Sequence, residues 1–227
     1  DIKDIAAKLY LGTPSEEWDI FEYAKKINIE YFLAITKSLG SEFDGLIYES
    51  EAGTVGEKVV KDNIGKVFTE SEGAIVYIPE EERKDINTAV FINSQGHPTY
   101  EAKDLGLIEL KFSKYSPDYS FFVTDTEQTS HFKVVLASLE KINSNDAEKS
   151  IHIPHGRMTF KGEKMSSRLG GVPLVTDILS VVEEEVKNKE GDKTKDFTEE
   201  EKKELYKNVS LAALRFAILR SKLGGNI

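Results

Sequence analysis

From Tyr100 onward the chain passes through helix-like, strand-like, helix-like and strand-like segments, then a loop and further helix. That order restricts it to a parallel sheet covered by helices. Phe121-Phe122-Val123 reads as an uninterrupted apolar strand, and Ile151-His152-Ile153 as a second buried one. Between them a helix continues through Phe132, Val135, Leu136 and Leu139. The first strand runs into Thr124-Asp125-Thr126-Glu127-Gln128, polar residues at its carboxyl end where that helix begins. Open α/β sheets bind ligands beyond the carboxyl ends of their strands, so a site is expected at this edge.

The flanking segments read less sharply. Thr13-Pro14-Ser15-Glu16 suits a helix start, with Thr13 as cap, Pro14 in the first turn and Glu16 closing a capping box. Trp18, Phe21, Ile27, Tyr31, Phe32 and Ile35 follow at roughly helical spacing, a stripe expected to pack into the core, and Gly40 supplies a stop. Short strands are expected around Leu46-Ile47-Tyr48, Ala74-Ile75-Val76-Tyr77 and Ala89-Val90-Phe91-Ile92, with a helix near Glu57 to Lys61. Pro173 to Val186 and Glu199 to Arg220 read as helices joined by the charged connection Lys187 to Asp196. The expected organisation is a connecting helical segment over 1–42, an inserted small α/β subdomain over 43–98, a sheet region over 99–172 and a helical region over 173–227.

Charge and composition narrow the function classes. A net charge of −10 excludes a chain coated in basic surface, so any nucleic-acid contact is expected to be local. The runs Glu80-Glu81-Glu82, Glu183-Glu184-Glu185 and Glu199-Glu200-Glu201 read as solvated helix ends or faces. No apolar run approaches the roughly 20 residues that cross a bilayer. With no cysteine there is neither a disulfide framework nor a thiolate metal site, in keeping with a reducing cytoplasm.

Two groups of residues carry chemistry. Gly162-Glu163-Lys164-Met165-Ser166-Ser167-Arg168-Leu169-Gly170-Gly171 places cations, hydroxyls and glycines on one short loop. Such a loop can wrap a polyphosphate: lysine gives a compact charge, serines donate, arginine adds a planar fork and glycines admit the backbone. A basic, glycine-bounded loop is also an ordinary solvated turn. Tyr100 and Asp104, four apart on one helix face, and Gln128 at the next helix start can converge on a crevice. A carboxylate there can grip a guanidinium through two parallel hydrogen bonds, with the phenol and amide satisfying other donors. Plain helix-surface polarity gives the same spacing.

Lys164-Met165-Ser166-Ser167-Arg168 resembles the KMSKS motif of class I aminoacyl-tRNA synthetases, in the form arginyl-tRNA synthetases often carry. Pro98-Thr99-Tyr100-Glu101-Ala102-Lys103-Asp104-Leu105-Gly106 resembles that family's substrate motif, and Phe43-Asp44 through Gly73-Ala74 the insertion preceding it, so the likeness covers nearly the whole chain. It implies an α/β fold holding the second half of a Rossmann-like catalytic sheet, a small inserted subdomain and C-terminal helices. It implies an arginine–tRNA ligase using ATP, accompanied by Mg2+, with arginine and tRNA(Arg) as partners, in the cytoplasm, as a monomer and without a membrane. Lys164, Ser166, Ser167 and Arg168 then take the catalytic role, Tyr100, Asp104 and Gln128 the arginine, and His155, Gly156, Met158 and Lys164 the ATP. No tightly bound cofactor and no protein metal ligand is implied.

His152-Ile153-Pro154-His155 is not the family's His-x-Gly-His motif, because proline replaces the glycine and the segment lies nine residues before Lys164. That motif belongs upstream of Asp1, and an anticodon-binding domain beyond Ile227, so an interior fragment is expected. The second lysine of KMSKS is Ser167 here, whose neutral hydroxyl cannot supply the same charge, and either Arg168 or a basic residue elsewhere is expected to compensate. His131 stands on the helix after Gln128, either near the active centre or packed structurally, and His97 lies in a turn with no role. The alternatives are another class I synthetase or nucleotidyl transferase, and a noncatalytic tRNA-binding or regulatory module.

Overall fold

The computed structural model describes residues 4–5, 12, 14–156, 159–160, 163–164, 174–189, 194–220, 222 and 224–225. The chain divides into two compact units, residues 1–45 with 173–214, and residues 46–172 with 215–227. The first unit contains helix α1 (Glu16–Ser38). Thr13 lies outside the described residues, and the cap is Ser15, whose side chain accepts from the Trp18 N–H at 3.2 Å. No residue of α1 is buried, contrary to the expected core stripe: Tyr31 is 56% exposed and Phe32 45%. The reason is angular, because Ile20, Tyr23 and Leu33 add apolar positions on other faces and no single face is concentrated.

The second unit begins with α2 (Glu49–Asp62), where a strand had been expected at Leu46-Ile47-Tyr48. Tyr48 instead ends an irregular stretch, its backbone N–H bound to the Glu51 carboxylate at 2.9 Å, so local capping overrides the short apolar run. Strands β1 (Phe68–Ser71), β2 (Ala74–Tyr77) and β3 (Ala89–Ile92) form an antiparallel sheet in the order β1-β2-β3. β1 went unnoticed in the sequence because Phe68 is its single large apolar residue. Its turn is readable afterwards: Glu72 (φ 51°) and Gly73 (φ 80°) make the two-residue left-handed corner that suits a tight hairpin.

Helix α3 (Tyr100–Tyr115) follows, and Thr99 pins its start to β3, donating from Oγ1 to the Phe91 carbonyl at 3.0 Å. α2 and α3 cross at Gly56 and Gly106, where a Cβ on either would enter the other helix's backbone. Strand β4 (Ser120–Asp125), a 3-10 turn at Thr126–Gln128, α4 (Thr129–Ile142), the short α5 (Ser144–Glu148) and β5 (Ser150–His155) complete a crossover unit, with β4 and β5 parallel. Only one face of β4 is buried: Phe122 packs on Phe132 at 5.3 Å, while Phe121 and Val123 are 52% and 61% exposed. Ile151 of β5 is also on the exposed side. The core runs continuously from Val60, Phe68 and Phe91 through Leu105 and Ile108 to Phe122, Phe132 and Val135.

β6 (Thr159–Phe160) and β7 (Glu163–Lys164) pair antiparallel, Thr159 opposite Lys164. Helices α6 (Val175–Asn188) and α7 (Glu199–Leu219) close the chain's helical part. Among the described residues no helix is long and apolar enough to cross a membrane.

Candidate functional site

The first turns of α3 and α4 supply the expected arginine-reading residues. Tyr100 is the first residue of α3 and strongly exposed, Asp104 lies one turn later, and Gln128 caps α4. A histidine ties these two turns together. His131 Nε2 lies 2.5 Å from Asp104 Oδ2, and its Nδ1 lies 3.5 Å from Glu101 Oε1. Gln128 lies three residues before His131 and is exposed.

His131 carries the clearest electrostatic perturbation. Burial alone pushes its pKa down, but hydrogen bonds and charge from Asp104 and Glu101 outweigh it and raise it from 6.5 to about 9. Glu101 is lowered in spite of its burial, chiefly through its hydrogen bond with His131. His152 on β5 is held below its usual value by burial and then by the His131 charge; its ring stacks on Phe132 at 4.5 Å and its Nε2 meets Thr124 Oγ1 at 2.9 Å. A second clamp supports Tyr100: the Lys103 ammonium pairs with Glu49 of α2 and stands 5.3 Å from the Tyr100 ring centre. The sequence assigns no role to Glu101, Lys103 or Glu49. The signal for Glu101 was available, since Glu101 and Asp104 are three apart and share a helix face.

Of the expected nucleotide residues, His155 and Gly156 sit at the carboxyl edge of the parallel sheet. His155 ends β5 in register with Asp125 at the end of β4, and Gly156 is buried beside it. His155 is exposed, and its Nδ1 is 2.8 Å from the Gly156 carbonyl oxygen, to which it donates. The backbone of Lys164 lies in the β6–β7 hairpin, just beyond β5 in the chain. Met158, Ser166, Ser167 and Arg168 lie outside the described residues. A separate cleft of 530 Å3 between α6 and α7, lined by Val182, Val186, Leu205, Tyr206 and Val209, gathers none of the expected site residues. Among the described residues no group of three or more His, Asp or Glu side chains is placed to hold a metal ion.

Set beside solved structures, this fold is that of the class I synthetases. The Thermus thermophilus arginyl-tRNA synthetase aligns with 100% of this chain and 43% of its own, at a TM-score of 0.78 and 21% identity. The Plasmodium falciparum arginyl-tRNA synthetase aligns with 99% and 38%, at 0.75 and 15%. The family described as tRNA synthetases class I (R), catalytic domain, matches residues 26–225, and the chain belongs to it. An arginine–tRNA ligase of Clostridium perfringens is 29% identical over 209 residues, covering 89% of this chain and 35% of that protein. The chain thus spans about a third of the length of the curated relatives it matches.

Proposed function

We propose that this chain is the arginine-reading and phosphate-facing portion of an arginine–tRNA ligase. In that reaction the carboxylate of arginine attacks the α-phosphate of ATP, pyrophosphate leaves, and the arginyl group passes from the adenylate to the terminal ribose hydroxyl of tRNA(Arg). Neither step needs a protein nucleophile, so the work of the protein is alignment and stabilisation of charge on the departing phosphates. Tyr100, Asp104 and Gln128 take the guanidinium end; His155, Gly156 and Met158 flank the nucleotide; Lys164, Ser166, Ser167 and Arg168 face the phosphates. Mg2+ arrives with ATP, and no step is assigned to it because no described carboxylate cluster fits it. The proposed division remains 1–42, 43–98, 99–172 and 173–227, in a cytoplasmic, monomeric protein.

The observation that carries the reading is the anchoring of Asp104. Its carboxylate is braced by His131 across two helix starts, inside the segment that the family matches. A braced acid offers an arginine head a fixed geometry, whereas a solvated surface aspartate does not. Each charge-assisted bond contributes roughly 1.5–3 kcal/mol, enough for about tenfold or more against an uncharged analogue.

The test is amino-acid-dependent ATP–pyrophosphate exchange by the native reading frame that contains this segment, with tRNA present. Arginine alone should support exchange, with lysine and citrulline inactive. Exchange with a different amino acid overturns the arginine assignment. A folded protein that exchanges with none is a noncatalytic module.

A further inference from the structure

Arginine recognition in this family segment would ordinarily be traced to Asp104 itself, but the geometry shows that this acid is not independent. One of its oxygens, Oδ2, is committed to His131, and among the described residues Oδ1 makes no hydrogen bond. The imidazole is shared with a second acid on the same turn, Glu101. Only 13% of the His131 side chain is exposed, against 27% for Asp104 and 25% for Glu101, so the most enclosed member of the trio is the base. Phe132 meets its ring edge-on at 5.3 Å and limits its rotation. A single acid would suffice for a packing ion pair; two acids around one imidazolium leave a surplus negative charge at the turn that carries Asp104.

We infer that His131 is a positioning residue for arginine: it holds Asp104 Oδ2 so that Oδ1 is presented to a guanidinium N–H, while its own charge opposes the incoming cation. The inference rests on the proposed arginine site. It has a thermodynamic signature that packing lacks. A cation bound at Asp104 repels the imidazolium, so arginine must make His131 easier to deprotonate, and by linkage deprotonation must tighten arginine. The groups that set the His131 charge are Glu101 and Asp104 on α3, while His152 on β5 is the other titratable group electrostatically coupled to it.

The experiment is an NMR pH titration of the histidine rings in the full chain, free and saturated with arginine or citrulline, with affinities from calorimetry. Citrulline shares the α-amino and carboxyl groups of arginine and cancels their ionisation. In the free chain His131 should titrate near 9, and Glu101→Gln should lower it. Arginine should lower the His131 pKa by about one unit, a tenfold coupling, and citrulline should leave it in place. At a pH above the His131 pKa, where no repulsion is relieved, His131→Gln should weaken arginine at least about tenfold, and it should abolish the pH dependence of the arginine-to-citrulline ratio above neutrality. If arginine binds without moving His131, and His131→Gln binds equally well, the inference falls while the arginine site stands. If the wild type binds no arginine, both fall. A free His131 titrating near 6.5 overturns the bridge of two acids around one imidazolium whatever arginine does.

Discussion

Gly106→Ala places a methyl where α2 and α3 touch backbone to backbone. An added Cβ at Gly106 would overlap the Ala52 carbonyl oxygen and the Gly56 amide nitrogen and stand 2.9 Å from the Gly56 Cα. Ordinary contact begins near 3.4 Å, and the obstructing atoms are backbone, with no side-chain torsion to turn them away. The helices must part by upwards of about 1 Å, a gap that forfeits a quarter to a half of each contact's dispersion energy at the seam. The seam is dense: Val60, Ala102, Leu105 and Ile108 are each 0–1% exposed. Overpacking costs up to about 3 kcal/mol, and the better helix propensity of alanine recovers about 1 kcal/mol, so a net loss of about 2 kcal/mol is expected. In urea or thermal unfolding followed by circular dichroism this is roughly 4–8 °C in Tm. Gly53→Ala is the internal control on α2, because its Cβ would meet Pro98 and Lys103 side-chain atoms at 3.6 and 3.7 Å, and it should stabilise by up to about 1 kcal/mol. The double variant Gly56→Ala, Gly106→Ala should lose less than the sum of its parts, since the same seam opens once. A Gly106→Ala chain as stable as wild type would refute the close-crossing argument.

Asp104→Asn should weaken arginine use by on the order of tenfold or more while leaving the KM for ATP nearly unchanged, as read in exchange kinetics; equal losses for both substrates would remove its role. Lys164→Ala should slow adenylate formation in single turnover by on the order of a hundredfold, with arginine affinity retained, because it removes charge from the phosphate end. Stability should fall with rising pH through His131: its folded pKa is above the unfolded one, so the contribution is complete below about 6.5 and gone above about 9, at most about 3 kcal/mol. Urea midpoints at pH 6.5 and 9.5 should show the fall in wild type and a smaller one in His131→Gln.

The order of the parallel unit was legible because a short apolar run ending in polar residues, a helical stripe and a second strand-like run follow one another, but Phe121, Val123 and Ile151 are exposed where burial was expected. In the candidate site, spacing encodes only what lies on one helix, as with Tyr100 and Asp104. What spacing along one helix cannot encode is a bond between helices, and the pairs His131 with Asp104 and Lys103 with Glu49 are of that kind. The stripe on α1 failed for a related reason: aromatic residues at helical intervals say which face they share, and burial depends on what lies opposite. At Leu46-Ile47-Tyr48 three apolar residues were outweighed by a cap one turn away, a carboxylate that the strand reading had not counted.

The crossing glycines and the shared imidazolium are parts of one arrangement. Glu101 and Asp104 lie near the amino end of α3, where the helix dipole favours acids, but His131 lies in the first turn of α4, where the same dipole disfavours a cation. Burial disfavours it further, so its charge depends on the two carboxylates of α3 remaining within hydrogen-bonding reach. Their distance is set by the seating of α3, and α3 is seated on α2 through Gly106. A displacement of about 1 Å at that seam is comparable with the slack in a hydrogen bond, so Gly106→Ala should lower the His131 pKa from about 9 toward 6.5 as well as reduce stability. Gly53→Ala, which leaves the seam closed, should keep it near 9. An imidazole that titrates identically in both variants would mean that Asp104 is held independently of the helix crossing, and the chain of positioning from α2 to the guanidinium would be broken at its first link.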